Sequence, residues 1–286
     1  MSGRRFEQIL RVTCCSRPEA KGKDKIQPLI DLIISQCQST FGPSKEAKGK
    51  DKIQPLIDLI ISQCQSTFGP SKKLSLDESL LHFRGRLSFR VYIKGKKSRY
   101  GIKFFELTTS DGYLLNIEMY SGTTTNNDLH NTEALVLRLM KPYLLKGHEL
   151  FMDNYYNSVD LSDKLLTLKT HANGTIRSNR KGNPKELINK KIRKGEHFWV
   201  RKKQVYVSKW KDKHDVLVIT TRNHPRLITV KNKFGKEKIK PEEVSSYNDH
   251  MSGIDRLDQM TSAYSSPRKT IRLYKKVIFH LLDICV

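Results

Sequence analysis

The chain has 286 residues, and its 53 lysines and arginines against 29 aspartates and glutamates give a formal net charge of +24. This length suggests one large or two modest domains, and the longest apolar runs, such as residues 29–34, are far too short to cross a bilayer. The composition therefore excludes an integral membrane protein. It favours a polyanionic partner, because each phosphate that a Lys or Arg neutralises releases counterions.

The first feature along the chain is a perfect repeat, since residues 19–45 recur unchanged as residues 46–72. Structural repeats normally diverge while keeping their apolar positions, so the identity indicates a very recent duplication or an error in assembling the gene. In each copy the residues after Pro28 or Pro55 predict a short helix with proline in its first turn. Two identical helices cannot occupy one slot in a core. We assign the slot to the second copy and expect residues 1–18 to be poorly ordered.

Residues 73–180 alternate between strand and helix patterns and predict the order βββαβαβ. The second and third strands are expected to form a hairpin, because Ser110-Asp111-Gly112 is a turn signal between them. The predicted elements are strands at 89–93, 100–108 and 113–120, a helix at 132–143, a strand at 150–152, a helix at 158–168 and a strand at 172–176.

Residues 177–240 hold two-thirds of the net charge of +24, with 21 Lys and Arg against five Asp and Glu, a local balance of +16. β-Rich stretches at 197–210 and 215–221, without a long helical pattern, predict a basic β-module or extended arm inserted at 181–240. A charge run of this kind is either a nucleic-acid contact or a solubilising surface, and charge alone does not separate DNA from RNA.

After Pro241 the pattern becomes helical again. Ser252 can cap a helix that carries Ile254, Leu257 and Met260 on its apolar side, and residues 277–286 form a second apolar helix. We therefore expect residues 241–286 to be the last part of the domain that begins at 73–180.

Three aspartates lie in distinctive settings: Asp77 in LSLDESLLHFRGR, Asp153 in HELFMDNYYNS and Asp255 in HMSGIDRLDQM. The predicted elements follow the order of the RNase H-like nucleotidyl-transfer fold. That order is a strand meander, a helix, a strand that ends in an acidic residue, and a later helix that carries another acidic residue. There, three carboxylates hold two divalent cations about 4 Å apart. Asp258 lies three residues after Asp255 and shares its helix face. Oxygen ligands suit Mg²⁺, and clustered carboxylates would repel one another without cations.

Each aspartate also has a purely structural explanation. Ser75-x-x-Glu78 and Ser252-x-x-Asp255 both resemble capping boxes at helix N-termini. Asp153-Asn154 could simply turn the chain after a strand. The metal-site interpretation therefore depends on the fold assignment.

From about Lys45 to the C-terminus the sequence resembles the piggyBac transposases and the host proteins derived from them. The resemblance rests on five ordered blocks: LSLDESLLHFRGRLSFRVYIKGKKSRYGIKFFEL, LMKPYLLKGHELFMDNYYNSVDLSDKLL, GTIRSNRKGNP, WKDKHDVLVITT, and YNDHMSGIDRLDQM followed by RKTIRLYKKVIFHLLDI. It implies an α/β fold, with an RNase H-like (DDE/DDD transposase) catalytic domain that carries a basic β-rich insertion and is truncated at both ends.

The resemblance implies Mg²⁺-dependent DNA strand cleavage and strand transfer, with Mn²⁺ as a substitute cation. By position, Asp77, Asp153 and Asp255 match the family's catalytic, metal-binding triad, and Asp258 matches an additional catalytic aspartate. In the implied reaction, water attacks a phosphodiester at the element's end. The freed 3′-OH then attacks the opposite strand and forms a hairpin.

The implied partner is double-stranded DNA with TTAA targets, with a homodimer as the assembly to be tested. No membrane and no small-molecule substrate are expected, and the DNA partner implies a nuclear location. Tyr155, Tyr156 and Trp199 could stack on bases, with packing in the fold as the alternative. We interpret these basic residues as DNA contacts, with an internal salt bridge as the alternative for the first two: Arg84, Arg86, Arg177, Arg180, Lys181, Arg201, Lys202 and Lys203.

Two parts of the family pattern are expected to be missing, namely the N-terminal DNA-binding and dimerisation region and the C-terminal cysteine-rich zinc module. Two alternatives to catalysis therefore stay open. One is a non-catalytic DNA- or chromatin-binding remnant of a transposase, and the other is a degenerate reading frame without a folded product.

Overall fold

The computed structural model describes residues 53–94, 99–122, 132–231, 235, 237–264 and 270–284. Residues 1–18 and the first repeat copy at 19–45 lie outside this range, so the expectations for both stay predictions. No helix within these ranges combines the length and the hydropathy that a membrane crossing needs.

Helix α1 spans Gln54–Thr67 and confirms the helix predicted from the second repeat copy. Pro55 stands in the first turn, where its missing N–H removes no intrahelical hydrogen bond. Leu56, Ile57 and Ile60 are buried in the core. The second copy therefore fills a slot in the fold.

The next four elements are strands: β1 (Lys73–His82), β2 (Val91–Tyr92), β3 (Tyr100–Thr109) and β4 (Leu114–Met119). The antiparallel pair of β3 and β4 confirms the predicted hairpin, whereas the strand predicted at 89–93 is only the two residues of β2. Strand β1 is absent from the sequence prediction. Its alternation is masked because the face opposite the buried Leu74 and Leu76 carries polar residues that point to the protein interior.

The central part of the chain follows the predicted order. It consists of helix α2 (Thr132–Met140) with a 3₁₀ turn at Lys141–Tyr143, strand β5 (Glu149–Met152), helix α3 (Val159–Thr167) and strand β6 (His171–Thr175). Ser158 caps α3, since its Oγ accepts a hydrogen bond from the Leu161 N–H at 3.1 Å. The amphipathic pattern was sufficient to predict these two helices, because each buries one side against the same face of the sheet.

The basic segment forms a short helix and five strands: α4 (Lys185–Asn189), β7 (His197–Lys202), β8 (Val205–Lys211), β9 (Asp215–Thr220), β10 (Leu227–Lys231) and β11 (Glu237–Pro241). It is β-rich and, in its described residues, has no long helix, as predicted. Its strands β7, β8 and β9 extend the main sheet, because β9 pairs with β6. Strands β10 and β11 form a separate hairpin.

In the described part of the chain, nine strands form one sheet in the order β2-β3-β1-β5-β6-β9-β8-β7, with β4 paired to β3. Strands β1, β5 and β6 are parallel neighbours, and the other pairs are antiparallel. Strands β1 and β5 run side by side in the same direction, and Leu76 in the middle of β1 pairs with Met152 at the end of β5. The residue that follows β5 therefore lies beside the middle of β1.

Three helices complete the fold after Pro241: α5 (Glu242–His250), α6 (Gly253–Tyr264) and α7 (Leu273–Ile284). The last two correspond to the two predicted helices, and α5 is an additional helix before them. Helices α2 and α3 pack on the face of the sheet that carries Leu74 and Leu76. Helices α1, α6 and α7 cover the other face, around Phe104 and Ile117. The molecule is thus a mixed sheet between two helical layers.

Replacing Ile57 by alanine should destabilise the protein by about 2–5 kcal/mol, because Ile57 is fully buried in the core beside α7. The matched control is Ile30→Ala, the same change at the same place in the first repeat copy. Urea unfolding of both variants measures the difference. Equal losses would contradict the assignment of the core slot to the second copy.

Candidate active site

Asp77 and Asp153 are brought together by two parallel strands. Asp77 lies in the middle of β1, and Asp153 is the first residue after β5. Because Leu76 pairs with Met152 in the parallel register, the next residue on each strand also lies side by side, roughly 5 Å apart in backbone position. The helix-capping explanation for Asp77 is wrong, since its segment is a strand.

Helix α6 brings Asp255 and Asp258 over the same face of the sheet. Its first residue, Gly253, lies so close to β1 and β3 that an added Cβ would stand 2.4 Å from the Thr109 carbonyl oxygen. Ser75, two residues before Asp77, donates its hydroxyl to the Met251 carbonyl at 3.1 Å. Asp255 is in the first turn of α6 and exposed, whereas Asp258 is half-buried.

All three carboxylates of the predicted triad affect the pKa of the Tyr247 phenol, which lies on α5. The pKa of Tyr247 is raised to about 12. Burial is the largest cause, and the negative charges of Asp153, Asp77 and Asp255 add to it, whereas a hydrogen bond with Thr175 acts in the opposite direction. Tyr247 thus lies within electrostatic range of all three aspartates.

The pKa of Asp153 is raised above its ordinary value. Burial is the main cause, and the charge of Glu78 adds to it. Hydrogen bonding from the Tyr155 N–H and the charge of Arg177 act in the opposite direction. A half-buried carboxylate beside another acid is stabilised in its charged form by a nearby cation. This electrostatic setting suits a metal ligand.

The turn after Asp153 is held rigidly. The Tyr155 N–H donates to Asp153 Oδ1 at 2.7 Å, and the fully buried Asn157 donates to the carbonyls of Met152 and Thr175 at 2.8 and 2.9 Å. The guanidinium of Arg180 donates to the carbonyls of Tyr155 and Asn157. Arg180, predicted as a DNA contact, thus serves to fix the position of this turn.

The opposite face of β1 supports the same turn. Tyr156 is buried, and its hydroxyl donates to Glu78 Oε2 at 3.1 Å. Tyr156 therefore packs in the core, which was the alternative to base stacking. Lys103 lies 3.9 Å from Glu78 and 5.0 Å from the centre of the Tyr155 ring, and the Arg177 guanidinium lies 5.6 Å from the same ring.

The other predicted DNA contacts fall into three groups. Arg177 and Lys181 are exposed, and with Arg180 they line a cleft of about 350 Å³ near the turn after Asp153. The β7 group consists of the exposed residues Arg201, Lys202 and Lys203 at the far end of the sheet, roughly 20 Å from β5 by strand spacing. Arg84 and Arg86 are exposed in the segment that follows β1. Within the β7 group, Lys203 forms a salt bridge with Asp163 at 2.7 Å.

The donor chemistry of the aspartates fits a hard divalent cation, since every donor is a carboxylate oxygen. Among the described residues, however, no three His, Cys, Asp or Glu side chains lie close enough to hold one metal ion together. The strand register brings two of the carboxylates side by side, and joint coordination requires the side chains of α6 to approach further.

Two residues near the site escape sequence reasoning. Glu106 lies directly opposite Asp77 in the β1–β3 register, is buried, and accepts the Ser79 hydroxyl at 2.5 Å. Tyr247 lies in a polar stretch whose pattern predicts only a helix. Ser75, Asp77 and Ser79 alternate along β1, and recognising them as one face of a strand would have indicated that a polar residue such as Glu106 lies opposite on β3. No signal in the sequence indicates Tyr247.

Comparisons with known proteins were consistent with one another. A family model described as Transposase IS4 matches residues 43–286. The human piggyBac transposable element-derived protein 3 is 26% identical over 226 residues, which cover 73% of this chain and 38% of that protein. The human piggyBac transposable element-derived protein 2 is 25% identical over 228 residues, with 73% and 38% covered. The chain thus spans less than two-fifths of these curated relatives.

One solved structure also matches over nearly the whole chain. A piggyBac transposase, in a cryo-EM structure of its synaptic complex with hairpin DNA, superposes with a TM-score of 0.72 at 27% sequence identity. The match covers 99% of this chain and 58% of that one. The mixed sheet and its helical layers therefore have a counterpart in a DNA-bound protein.

Proposed function

Because the chain belongs to the piggyBac-type Transposase IS4 family, we propose that it binds double-stranded DNA and cleaves and joins DNA strands at a two-metal site. Its fold is the RNase H-like catalytic domain of this family. Asp77, Asp153 and Asp255 are the proposed metal ligands, with Asp258 beside them. The observation that carries this proposal is the parallel pairing of β1 and β5, which puts Asp77 next to Asp153.

The proposed cofactor is Mg²⁺, with Mn²⁺ as a substitute. When bound, two such cations supply activation of an attacking oxygen and stabilisation of the charge on the leaving oxygen. The protein's own contribution is to hold the donors. Asn157 and Arg180 fix the turn that carries Asp153, and the charges of the triad already act together on Tyr247. Drawing Asp255 toward the strands would complete the donor set.

DNA binding is supported by the charge distribution and by the DNA in the matched solved complex. Arg177 and Lys181 beside the turn after Asp153 are proposed to contact phosphates near the cleaved strand. Arg201 and Lys202 on β7 are proposed to bind DNA farther away, since the sheet separates them from the aspartates. TTAA targets, a homodimer and a nuclear location are proposed on the same grounds.

A second function remains in competition. The three carboxylates are not close enough for joint coordination in this structure, which favours a non-catalytic protein that uses its basic surface to hold DNA or chromatin. Under this alternative, binding still depends on charge, but the chain has no nuclease activity with any divalent cation.

Nicking and binding measured in parallel on the same preparation separate the two functions. We expect Mg²⁺-dependent nicking of supercoiled plasmid, abolished by EDTA and restored by Mn²⁺, together with DNA affinity that falls steeply with salt. Arg201→Ala combined with Lys202→Ala should reduce the slope of log affinity against log salt by about two, one for each phosphate that is no longer neutralised.

The control for this double variant is Lys169→Ala, which removes an exposed lysine outside the proposed DNA surface. Salt-dependent binding without nicking under any metal condition would support the non-catalytic alternative. Affinity that does not change with salt would contradict both functions.

A further inference from the structure

A small polar cavity lies between the sheet and α5, away from the three aspartates of the triad. It measures about 20 Å³ and is lined by residues of β5, β6 and α5, among them Glu149, Asn173, Glu243 and Ser246. That volume accommodates one water-sized occupant. The mouth of the cavity includes Arg222, whose side chain is 38% exposed, so an ion from solvent can reach the interior.

Four oxygens that line this cavity, one each from Glu149, Asn173, Glu243 and Ser246, lack hydrogen-bond donors within the described structure. Asn173 is 2% exposed and Glu243 is 4% exposed, yet Asn173 Oδ1, Glu243 Oε2 and Ser246 Oγ have no hydrogen-bond partner among the described residues. The other oxygen of Glu243 is satisfied, because it accepts from Ser208 Oγ at 2.7 Å and lies 2.9 Å from His197 Nε2. Leaving buried polar groups without a hydrogen-bond partner destabilises the folded protein.

The cavity also holds two acidic side chains, only one of which is described with a permanently charged partner. Glu149 is fully buried; its Oε1 accepts a hydrogen bond from Arg222 Nη1 at 3.4 Å, and its Oε2 lies 3.0 Å from the same nitrogen outside hydrogen-bond geometry. Among the described residues the ion-pair partner of Glu243 is His197, which is charged only when it is protonated. Buried carboxylates need a matched positive charge to stay ionised.

We propose that this cavity binds one hard metal cation of the Ca²⁺ type, held by the oxygens of Glu149, Glu243, Asn173 and Ser246. Carboxylate, amide and hydroxyl oxygens are the donors that such cations prefer. The site contains two acidic ligands and two neutral ones. It is distinct from the triad, because its acids come from the start of β5 and the start of α5.

A cation satisfies these four unpartnered oxygens better than a water molecule does. Both glutamate oxygens and the asparagine oxygen can only accept hydrogen bonds, whereas one water supplies two hydrogens and no charge. A cation binds all of these acceptors at once and neutralises the second carboxylate.

The cation would connect the two elements that frame the triad. Glu149 begins β5, the strand that Asp153 follows directly, and Glu243 and Ser246 belong to the helix that carries Tyr247. Phe151 already stacks on His250 of the same helix, with ring centres 4.9 Å apart. A cation between Glu149 and Glu243 would fasten the other end of α5 to β5.

Terbium luminescence tests the proposal in a chain that carries Asp77→Asn, Asp153→Asn and Asp255→Asn, so that the triad cannot bind the probe. Trp210 packs against Val244, next to Glu243, and is placed to sensitise a lanthanide in the cavity. We expect saturable terbium emission that Ca²⁺ competes away. Glu149→Gln should weaken binding at least tenfold, whereas Asp249→Asn on the exposed side of α5 should not change it.

Asn173→Asp is the second variant, and it separates cation binding from a loss of folding. A third carboxylate in a cation site should raise terbium affinity and should increase the rise in melting temperature that Ca²⁺ produces. Emission that is absent, or that is unaffected by both Glu149→Gln and Asn173→Asp, would overturn the proposal and leave water as the occupant. Trp199→Phe should leave the emission intact, because Trp199 lies on the exposed face of β7.

Discussion

Replacing Asp153 by asparagine should reduce Mg²⁺-dependent nicking of DNA by roughly 10³-fold or more, because residues that act as one catalytic unit fail together when one is removed. The substitution is nearly isosteric. Asparagine keeps the Oδ1 acceptor for the Tyr155 N–H, so the turn is preserved. Since burial already raises the pKa of Asp153, a neutral side chain is tolerated at this position. The loss should therefore be one of catalysis and not of folding.

The measurement is a plasmid nicking rate at saturating Mg²⁺, with DNA affinity and thermal unfolding recorded for the same preparation. Asp249→Asn is the matched control, because Asp249 lies on α5 near Tyr247 but is exposed to solvent. It should nick at the rate of the unaltered chain. If Asp153→Asn and the unaltered chain cleave equally, the triad is not the site of cleavage.

Replacing Gly174 by alanine should destabilise the protein by about 3 kcal/mol or more, at the upper end of the range for overpacking, since a clash with backbone cannot be relieved by a rotamer change. A Cβ at this position of β6 would stand 1.8 Å from the Met152 carbonyl oxygen and 2.5 Å from Asn157 Nδ2. The clash falls on the β5–β6 pairing and on the asparagine that fixes the turn after Asp153. The substitution should therefore lower the free energy of unfolding and also disturb the position of Asp153.

Gly69→Ala is the control for this change. An added Cβ there meets no atom within 4 Å, so the free energy of unfolding should change by no more than about 0.5 kcal/mol. Urea unfolding followed by circular dichroism compares the two variants. Equal stability would show that the close approach of β5 and β6 at Gly174 is not rigid.

The sheet gives a physical reason for keeping the basic segment near the aspartates. Strands β7, β8 and β9 continue the sheet beyond β6, and β6 lies next to β5. The segment predicted as an insertion at 181–240 is therefore built onto the same sheet as the triad. A positive surface fixed rigidly to the site can orient a long polyanion, which a flexible arm cannot do at the same entropic cost.

Local pattern was enough for the elements whose apolar residues repeat at one period. Helix α1 after Pro55, the β3–β4 hairpin around Asp111-Gly112, and the capped helix after Ser158 follow directly from such patterns. The charge of residues 177–240 and the five family blocks also required no structure. Together these features were sufficient to predict the family and the RNase H-like fold, which are confirmed, whereas the aspartates assigned to its site stay a prediction.

Pairing and register depended on the tertiary structure. β1 escapes prediction because Ser75 and Asp77 occupy an inward-facing side, where apolar residues are expected, and Glu106 joins them only through cross-strand register. Tyr247 comes near the triad because α5 packs across the ends of parallel strands. Arg180 supports the Asp153 turn, since its guanidinium donates to backbone carbonyls, and its predicted DNA contact stays a prediction. The sequence determined which side chains are available; long-range packing decided which of them meet, because strand pairing joins residues that no local period relates.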